Sequence, residues 1–192
     1  MEQNRKTDEK TIIEGCRNGE SWAQKMLYEL HASTMMSVCI RYVGNYETAR
    51  DILQDGFIKV FTKIDTYSGA GAFGGWMRRV FVTTALEYIR QNNALKQSKE
   101  LDDFHNDFED IHPTIIDQIT ADDLLNCVAQ LAEGYRTVFN MYAIEGYSHG
   151  EIAELLQISE NTSRSQFMRA RNILQREVEN LIGKEYAQQY KK

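Results

Sequence analysis

Four arginines stand between residues 160 and 176, accompanied by a single acid, Glu160. Guanidinium groups at this density suit DNA, because they pair with phosphates and with guanine edges, while small polar side chains read other base edges. At 100° per residue, Ser165, Arg169, Asn172 and Arg176 fall on one face of a helix, flanked by Arg164, Met168, Arg171 and Gln175. The opposite stripe is Phe167, Ala170, Leu174, Val178 and Leu181, predicted to be buried. Just upstream, Ser148-His-Gly-Glu151 has the form of a capping box and predicts a helix start. That helix offers Ile152, Ala153, Leu155 and Leu156 as apolar positions. Gln157-Ile158-Ser159 then predicts a tight turn, with Ser159 capping the arginine-bearing helix. The unit reads as a helix-turn-helix with core Ile152, Ala153, Leu156, Ile158, Phe167 and Ala170. A helical hairpin with a solvated arginine face is the plainer alternative; the capped first helix and the short turn favour DNA.

Two further constellations lie in the first half. A helix predicted over 47–64 has the core stripe Ala49, Ile52, Leu53, Phe57, Val60, Phe61 and Ile64. Opposite stand Asp51, Gln54, Asp55, Ile58 and Thr62. Periodicity alone reads this face as solvated surface. An acidic pair beside an outward isoleucine also suits a protein-docking surface with an apolar centre. Next comes the glycine-rich loop Tyr67–Gly75, with no phosphate-binding signature, and a helix from Phe73 or Trp76 to Arg90. Tyr67, Phe73, Arg78 and Arg79 could stack unpaired bases and hold a single strand. Trp76, Val80 and Phe81 read equally well as core, and Trp76 is assigned there; Tyr67 and Phe73 stay open.

The elements that would position these groups are helical. In 21–42, Ala23, Met26, Leu27, Leu30, Thr34, Val38 and Tyr42 recur at helical spacing, and Gly44-Asn45 ends the run. A second helical block is predicted from Ala121 to about Ile182, broken near Glu133-Gly134 and Gly146. No strand alternation or internal repeat is visible. The 192 residues carry a net charge of −6, which by itself argues against nucleic acid. The acid is concentrated, however: residues 96–123 hold 9 acidic and 2 basic side chains, and the flanking segments are nearly neutral. The expected architecture is all-α, with two small helical domains at 20–92 and 122–182. An N-terminal segment with a short helix (1–19), an acidic linker (93–121) and a polar tail (183–192) complete it.

Enzyme chemistry finds no support. The histidines 31, 105, 112 and 149 are scattered, and no HExxH, GxSxG or P-loop occurs. Cys16, Cys39 and Cys127 form no CxxC pair, so neither a disulfide framework nor a zinc site is expected. No cofactor or metal is expected. The polar N-terminus is not a signal peptide, and no uncharged stretch is long enough to span a bilayer, so a cytoplasmic protein is expected.

Asp51-Ile-Leu-Gln-Asp-Gly-Phe-Ile-Lys-Val-Phe61, Phe73-Gly-Gly-Trp-Met-Arg-Arg79 and Glu151-Ile-Ala…Asn161-Thr…Arg169-Ala-Arg171 occur in this order. With these motifs the chain resembles the extracytoplasmic-function (ECF) group of the sigma-70 family over about residues 12–182. The resemblance implies a promoter-specificity subunit of RNA polymerase that is not an enzyme. It implies that residues 20–92 are region 2 and 122–182 region 4. Asp51, Gln54, Asp55, Ile58 and Thr62 are then expected to dock on the β′ clamp helices of core polymerase, and region 4 on the β flap. Tyr67, Phe73, Arg78, Arg79 and Thr83 are expected at the −10 element, where they capture a flipped base. Arg164, Ser165, Met168 and Arg169 are expected to read the −35 element, with Arg171, Asn172 and Arg176 further along the same helix. The acidic linker matches one threaded through the polymerase's nucleic-acid channels. Factors of this group are often held by an anti-sigma protein, and no residue identifies one here. Thr83 stands where the family commonly has asparagine, Ser163 where valine is usual and Gln166 where arginine is frequent. The competing reading is a stand-alone helix-turn-helix regulator whose N-terminal half senses or dimerises.

Overall fold

The computed structural model describes residues 8–91 and 120–189. The chain divides into two compact units, Met1–Tyr88 and Ile89–Lys192. The acidic segment, apart from its last two residues, lies outside the described residues. Among those that are described there is helix and no strand.

The first unit holds α1 (Glu9–Arg17), α2 (Ser21–Val43), α3 (Tyr46–Lys63) with a 3-10 turn at Ile64–Thr66, and α4 (Phe73–Gln91), whose last turn runs past the division between units. Gly44 ends α2 in the left-handed region, and Asn45 caps α3 by accepting from the Thr48 amide at 2.8 Å. The α3 core is as expected at Ala49, Ile52, Leu53, Phe57, Val60 and Ile64, while Phe61 is only half-buried. The α2 stripe differs from expectation. Leu30 and Thr34 are exposed, and the buried line instead runs Ala23, Leu27, Met35, Val38 and Tyr42, passing through half-buried His31. Spacing alone allows either line. The neighbours decide: His31 lies beside the Phe73 ring at 6.3 Å, so the stripe turns toward α4 there.

Gly56 controls how α3 meets α4. A Cβ placed there would lie 2.2 Å from Phe81 Cε1, and Phe81 is fully buried. Phe81 also meets Phe57 edge-on at 5.2 Å. Lys59 and Glu87 close the same crossing with an ion pair of 2.6 Å.

The second unit holds α5 (Ala121–Gln130), α6 (Glu133–Phe139) continued by a π-helical turn (Asn140–Ile144), α7 (His149–Leu156) and α8 (Glu160–Gln189). Thr120 and Asp123 form a capping box on α5. Buried Arg136 closes the α5–α6 turn by donating to the carbonyls of Ala129 (2.8 Å) and Leu131 (3.1 Å). Burial lowers its pKa, with Glu133 opposing. The last helix does not stop near Ile182: it runs to Gln189, through much of what the sequence assigned to a tail.

Substituting Gly56→Ala tests the crossing. The added methyl favours helix by about 1 kcal/mol, but forcing it against a buried ring costs about 1–3 kcal/mol. Both tryptophans, Trp22 and Trp76, lie in this unit, so their fluorescence reports its melting. The expected outcome is a net loss of up to about 2 kcal/mol and a lowered midpoint; a raised midpoint would mean that α4 can move aside.

Candidate nucleic-acid interface

In the second unit the helix-turn-helix forms from the local signals its sequence carries. Ser148 Oγ accepts from the Glu151 amide at 3.2 Å, and the Glu151 carboxylate accepts from the Ser148 amide at 2.8 Å. Gln157 turns the chain in the left-handed region (φ 56), where a non-glycine residue is uncommon. Ser159 Oγ then accepts from the Thr162 amide at 2.9 Å and starts α8. Ile152, Leu156 and Ala170 are buried, while Ala153, Ile158 and Phe167 are half-buried.

The recognition-helix face is narrower than its sequence suggests. Arg164, Ser165 and Met168 are exposed, Met168 by 48%, and Arg164 pairs with Glu160 one turn back. Ser165 Oγ donates to the Thr162 carbonyl at 3.0 Å. Arg169 is half-buried and donates to the Tyr135 hydroxyl at 3.4 Å, so it leans toward α6. Arg171 is exposed but borders an apolar groove. Asn172 is half-buried and Arg176 exposed. Ser163 and Gln166, the two departures on this helix, are buried. Both side chains face the core of the unit and not the exposed face that carries Arg164, Ser165 and Met168. Leu174, Val178 and Leu181 are half-buried rather than core. Leu174 and Val178, together with Leu124, Val128, Phe139 and Ile144, line that groove of about 740 Å³ between α5, the π-turn and α8.

His149 went unassigned in the sequence, yet it joins the two helices of the motif. Its Nδ1 lies 2.9 Å from Ser163 Oγ, and its ring stacks on Tyr142 at 4.2 Å and meets Phe167 edge-on at 5.9 Å. Histidine and serine one and four residues beyond their respective caps, Ser148 and Ser159, carry no periodic signal that would have paired them.

In the first unit, Asp51, Gln54, Asp55, Ile58 and Thr62 are all exposed on one side of α3, Ile58 by 54%. The loop is more ordered by contacts than its glycines suggest. The Tyr67 hydroxyl donates to the Gly71 carbonyl at 2.7 Å, and its ring packs on Phe73 at 5.1 Å and Trp76 at 5.7 Å. Two sequence expectations exchange places here. Phe73 is 1% exposed and cannot offer its face to a base, whereas Trp76, assigned to the core, is half-exposed. Phe73 starts α4 and points inward at His31, which leaves Trp76, three residues on, at the rim. Trp76 helps line a cleft of about 130 Å³ with Lys59, Lys63, Arg79, Thr83 and Glu87. Arg78 is half-buried and does not line the cleft. Thr83 Oγ1 donates to the Arg79 carbonyl at 2.8 Å and remains exposed. The lysines escaped sequence reading because each sits among core positions of α3.

Among the described residues no cluster of His, Cys, Asp and Glu could hold a metal ion, and the three cysteines are buried and unpaired. No helix there is long and apolar enough to cross a membrane.

Two family models match the chain: Sigma-70 region 2 over residues 27–94 and Sigma-70, region 4 over residues 121–174. The ECF RNA polymerase sigma-E factor of Haemophilus influenzae is 23% identical over 184 residues, covering 91% of this chain and 97% of that protein. The RNA polymerase sigma-H factor of Pseudomonas aeruginosa is 25% identical over 182 residues, covering 89% and 94%. A solved structure of the sigma factor RpoE from Bartonella quintana, in complex with the anti-sigma factor NepR, matches at 20% identity and a TM-score of 0.48, covering 81% and 96%.

His149 gives the second unit a pH dependence. Burial lowers its pKa from the ordinary 6.5, Arg164 lowers it further, and Glu160 opposes. The unfolded chain therefore takes up this proton first, so the contribution is intact above pH 6.5 and is lost as pH falls below it. Far-UV circular dichroism melts should show stability falling on acidification through this window. His149→Asn, which keeps a polar atom but does not titrate, should flatten that fall; an unchanged pH profile would exclude His149 as its source.

Proposed function

We propose a division of labour within this chain, which belongs to the ECF group of the sigma-70 family and is a sigma factor that acts with RNA polymerase in transcription initiation. The observation that carries the reading is the pair of matches in chain order, region 2 on the first unit and region 4 on the second.

The outward side of α3 docks on the β′ clamp helices of core polymerase. Its support is chemical: an apolar centre at Ile58, ringed by Asp51, Gln54, Asp55 and Thr62, is the layout of a protein interface with a charged rim. The cleft between α3 and α4 receives the unwound −10 strand. Lys59, Lys63 and Arg79 supply cations for the backbone, and Trp76, rather than Phe73, supplies an aromatic face. Tyr67 acts by shaping the loop, Thr83 stands at the cleft wall, and Arg78 supports from outside it.

On α8, Arg164, Ser165 and Met168 enter the major groove at the −35 element, and Arg176 holds phosphates further along. Arg169 and Asn172 flank this face. Arg164 must release Glu160 to reach DNA, which gives sequence-specific contact a competitor within the helix. The apolar groove beside Arg171 docks the β flap: it is open, lined mainly by aliphatic side chains with Phe139, and bordered by one cation. The acidic segment serves as the linker between regions. An anti-sigma protein would compete for the same surfaces. The chain carries out no bond chemistry itself, and it works in the cytoplasm, where polymerase meets DNA.

Run-off transcription with core polymerase on genomic fragments tests the reading. New start sites that need both components are expected. Tight sequence-specific binding by the free chain, without new starts, would instead indicate a stand-alone regulator. Within this scheme, Asp51→Ala with Gln54→Ala should weaken binding to core polymerase about ten-fold, the loss of roughly 1.4 kcal/mol, with the tryptophan-reported melt unchanged. Undiminished affinity would remove α3 from the interface.

A further inference from the structure

The first helix has no part in the scheme above, and it lies outside the residues matched to region 2. Its last residue nevertheless reaches the loop. Arg17 Nη2 donates to the Tyr67 carbonyl at 2.6 Å, and Arg17 Nε lies 4.0 Å from Asp65 Oδ1. The helix that presents Arg17 is itself fixed. Ile12, Ile13 and Cys16 are buried, and at Gly15 an added Cβ would lie 2.6 Å from the Ala23 Cβ on α2. Arg17 therefore extends from a rigid frame.

Tyr67 receives this bond where the 3-10 turn ends and the loop begins. The same residue crosses the loop to Gly71 through its hydroxyl and supports Trp76 through its ring. Gly69 and Gly71 sit at φ +81 and +86, so the loop backbone has little stiffness of its own. Its position is set by what grips its ends. One end is the start of α4, packed through Phe73; the other is Tyr67, gripped by Arg17.

We infer that Arg17 is a positioning residue for strand separation: by holding the Tyr67 backbone it fixes the loop and the Trp76 face beside the cleft that takes the unpaired strand. The inference rests on the reading of that cleft given above. Arg17 touches no DNA in this account. It acts by preorganising the loop, so its contribution falls on the opening of duplex DNA and not on holding a strand that is already open.

Holoenzyme containing Arg17→Ala is compared with wild type on a promoter fragment at which wild-type holoenzyme initiates. The fragment is supplied as duplex and with a pre-opened bubble across the −10 element. Run-off from duplex should fall about ten-fold, the size expected for one charge-assisted hydrogen bond, while the bubble template keeps the wild-type yield. Arg17→Lys, which retains a charged donor, should recover part of the loss. Melting of the chain and its affinity for core polymerase should not change. Equal duplex yields from Arg17→Ala and wild type would overturn the inference. An equal fall on both templates would also overturn it, because that pattern marks a folding or docking defect. Failure of wild-type holoenzyme to initiate anywhere would overturn the sigma reading itself, and the inference with it.

Discussion

The first unit depends on one steric fact: at the closest approach of α3 and α4 the α3 residue is Gly56, which has no side chain. Gly56 leaves room for the Phe81 ring and for nothing more. The two faces of α3 follow from the crossing. With Gly56 and Phe57 turned to α4, residues Asp51, Gln54, Asp55, Ile58 and Thr62 have no neighbour to cover them and face outward. Further along α3, Lys59 and Lys63 come to face Trp76, Arg79 and Thr83 across the cleft, and Lys59 is held there by Glu87. One close contact thus leaves an exposed side, proposed above for protein docking, and a cleft, proposed above for strand binding, on the same helix pair. A bulkier residue at Gly56 would shift both together.

The second unit solves a different problem. Its recognition helix must be held firmly while leaving its first turns bare. Apolar packing is sparse there, since Ser163 and Gln166 occupy inward positions. The His149–Ser163 contact and the Tyr142 stack hold the two helices of the motif where aliphatic side chains would otherwise meet. Buried Arg136 does similar work at the α5–α6 turn, satisfying carbonyls that the end of α5 leaves open. Beside α8 a groove with largely apolar walls lies open between α5 and the π-turn.

Local signals carried the sequence reading far. The Ser148–Glu151 capping box, the break at Gly44-Asn45 and the outward face of α3 are all visible as residue types at fixed spacing, and the structure has them. What escaped depends on neighbours distant in the chain. Periodicity could not choose between Leu30 and His31, because the choice was made by Phe73, over forty residues on. It also exchanged Phe73 and Trp76, since both are large aromatics at the edge of a helix whose exact start decides which one points inward. The inward turn of Gln166 was hidden because glutamine has no periodic signature. Arg17 was invisible for the same reason: its partner is a backbone carbonyl 50 residues away, and a carbonyl leaves no trace in sequence.

The proposed function requires this chain to open promoter DNA as a polymerase subunit, with the cleft between α3 and α4 taking the strand. Permanganate probing of thymines on a promoter fragment addresses it most directly. Thymines around the −10 element should become reactive when chain and core polymerase are both present, and stay unreactive with either alone. Reactivity produced by the chain without polymerase, or no reactivity with both, would contradict it.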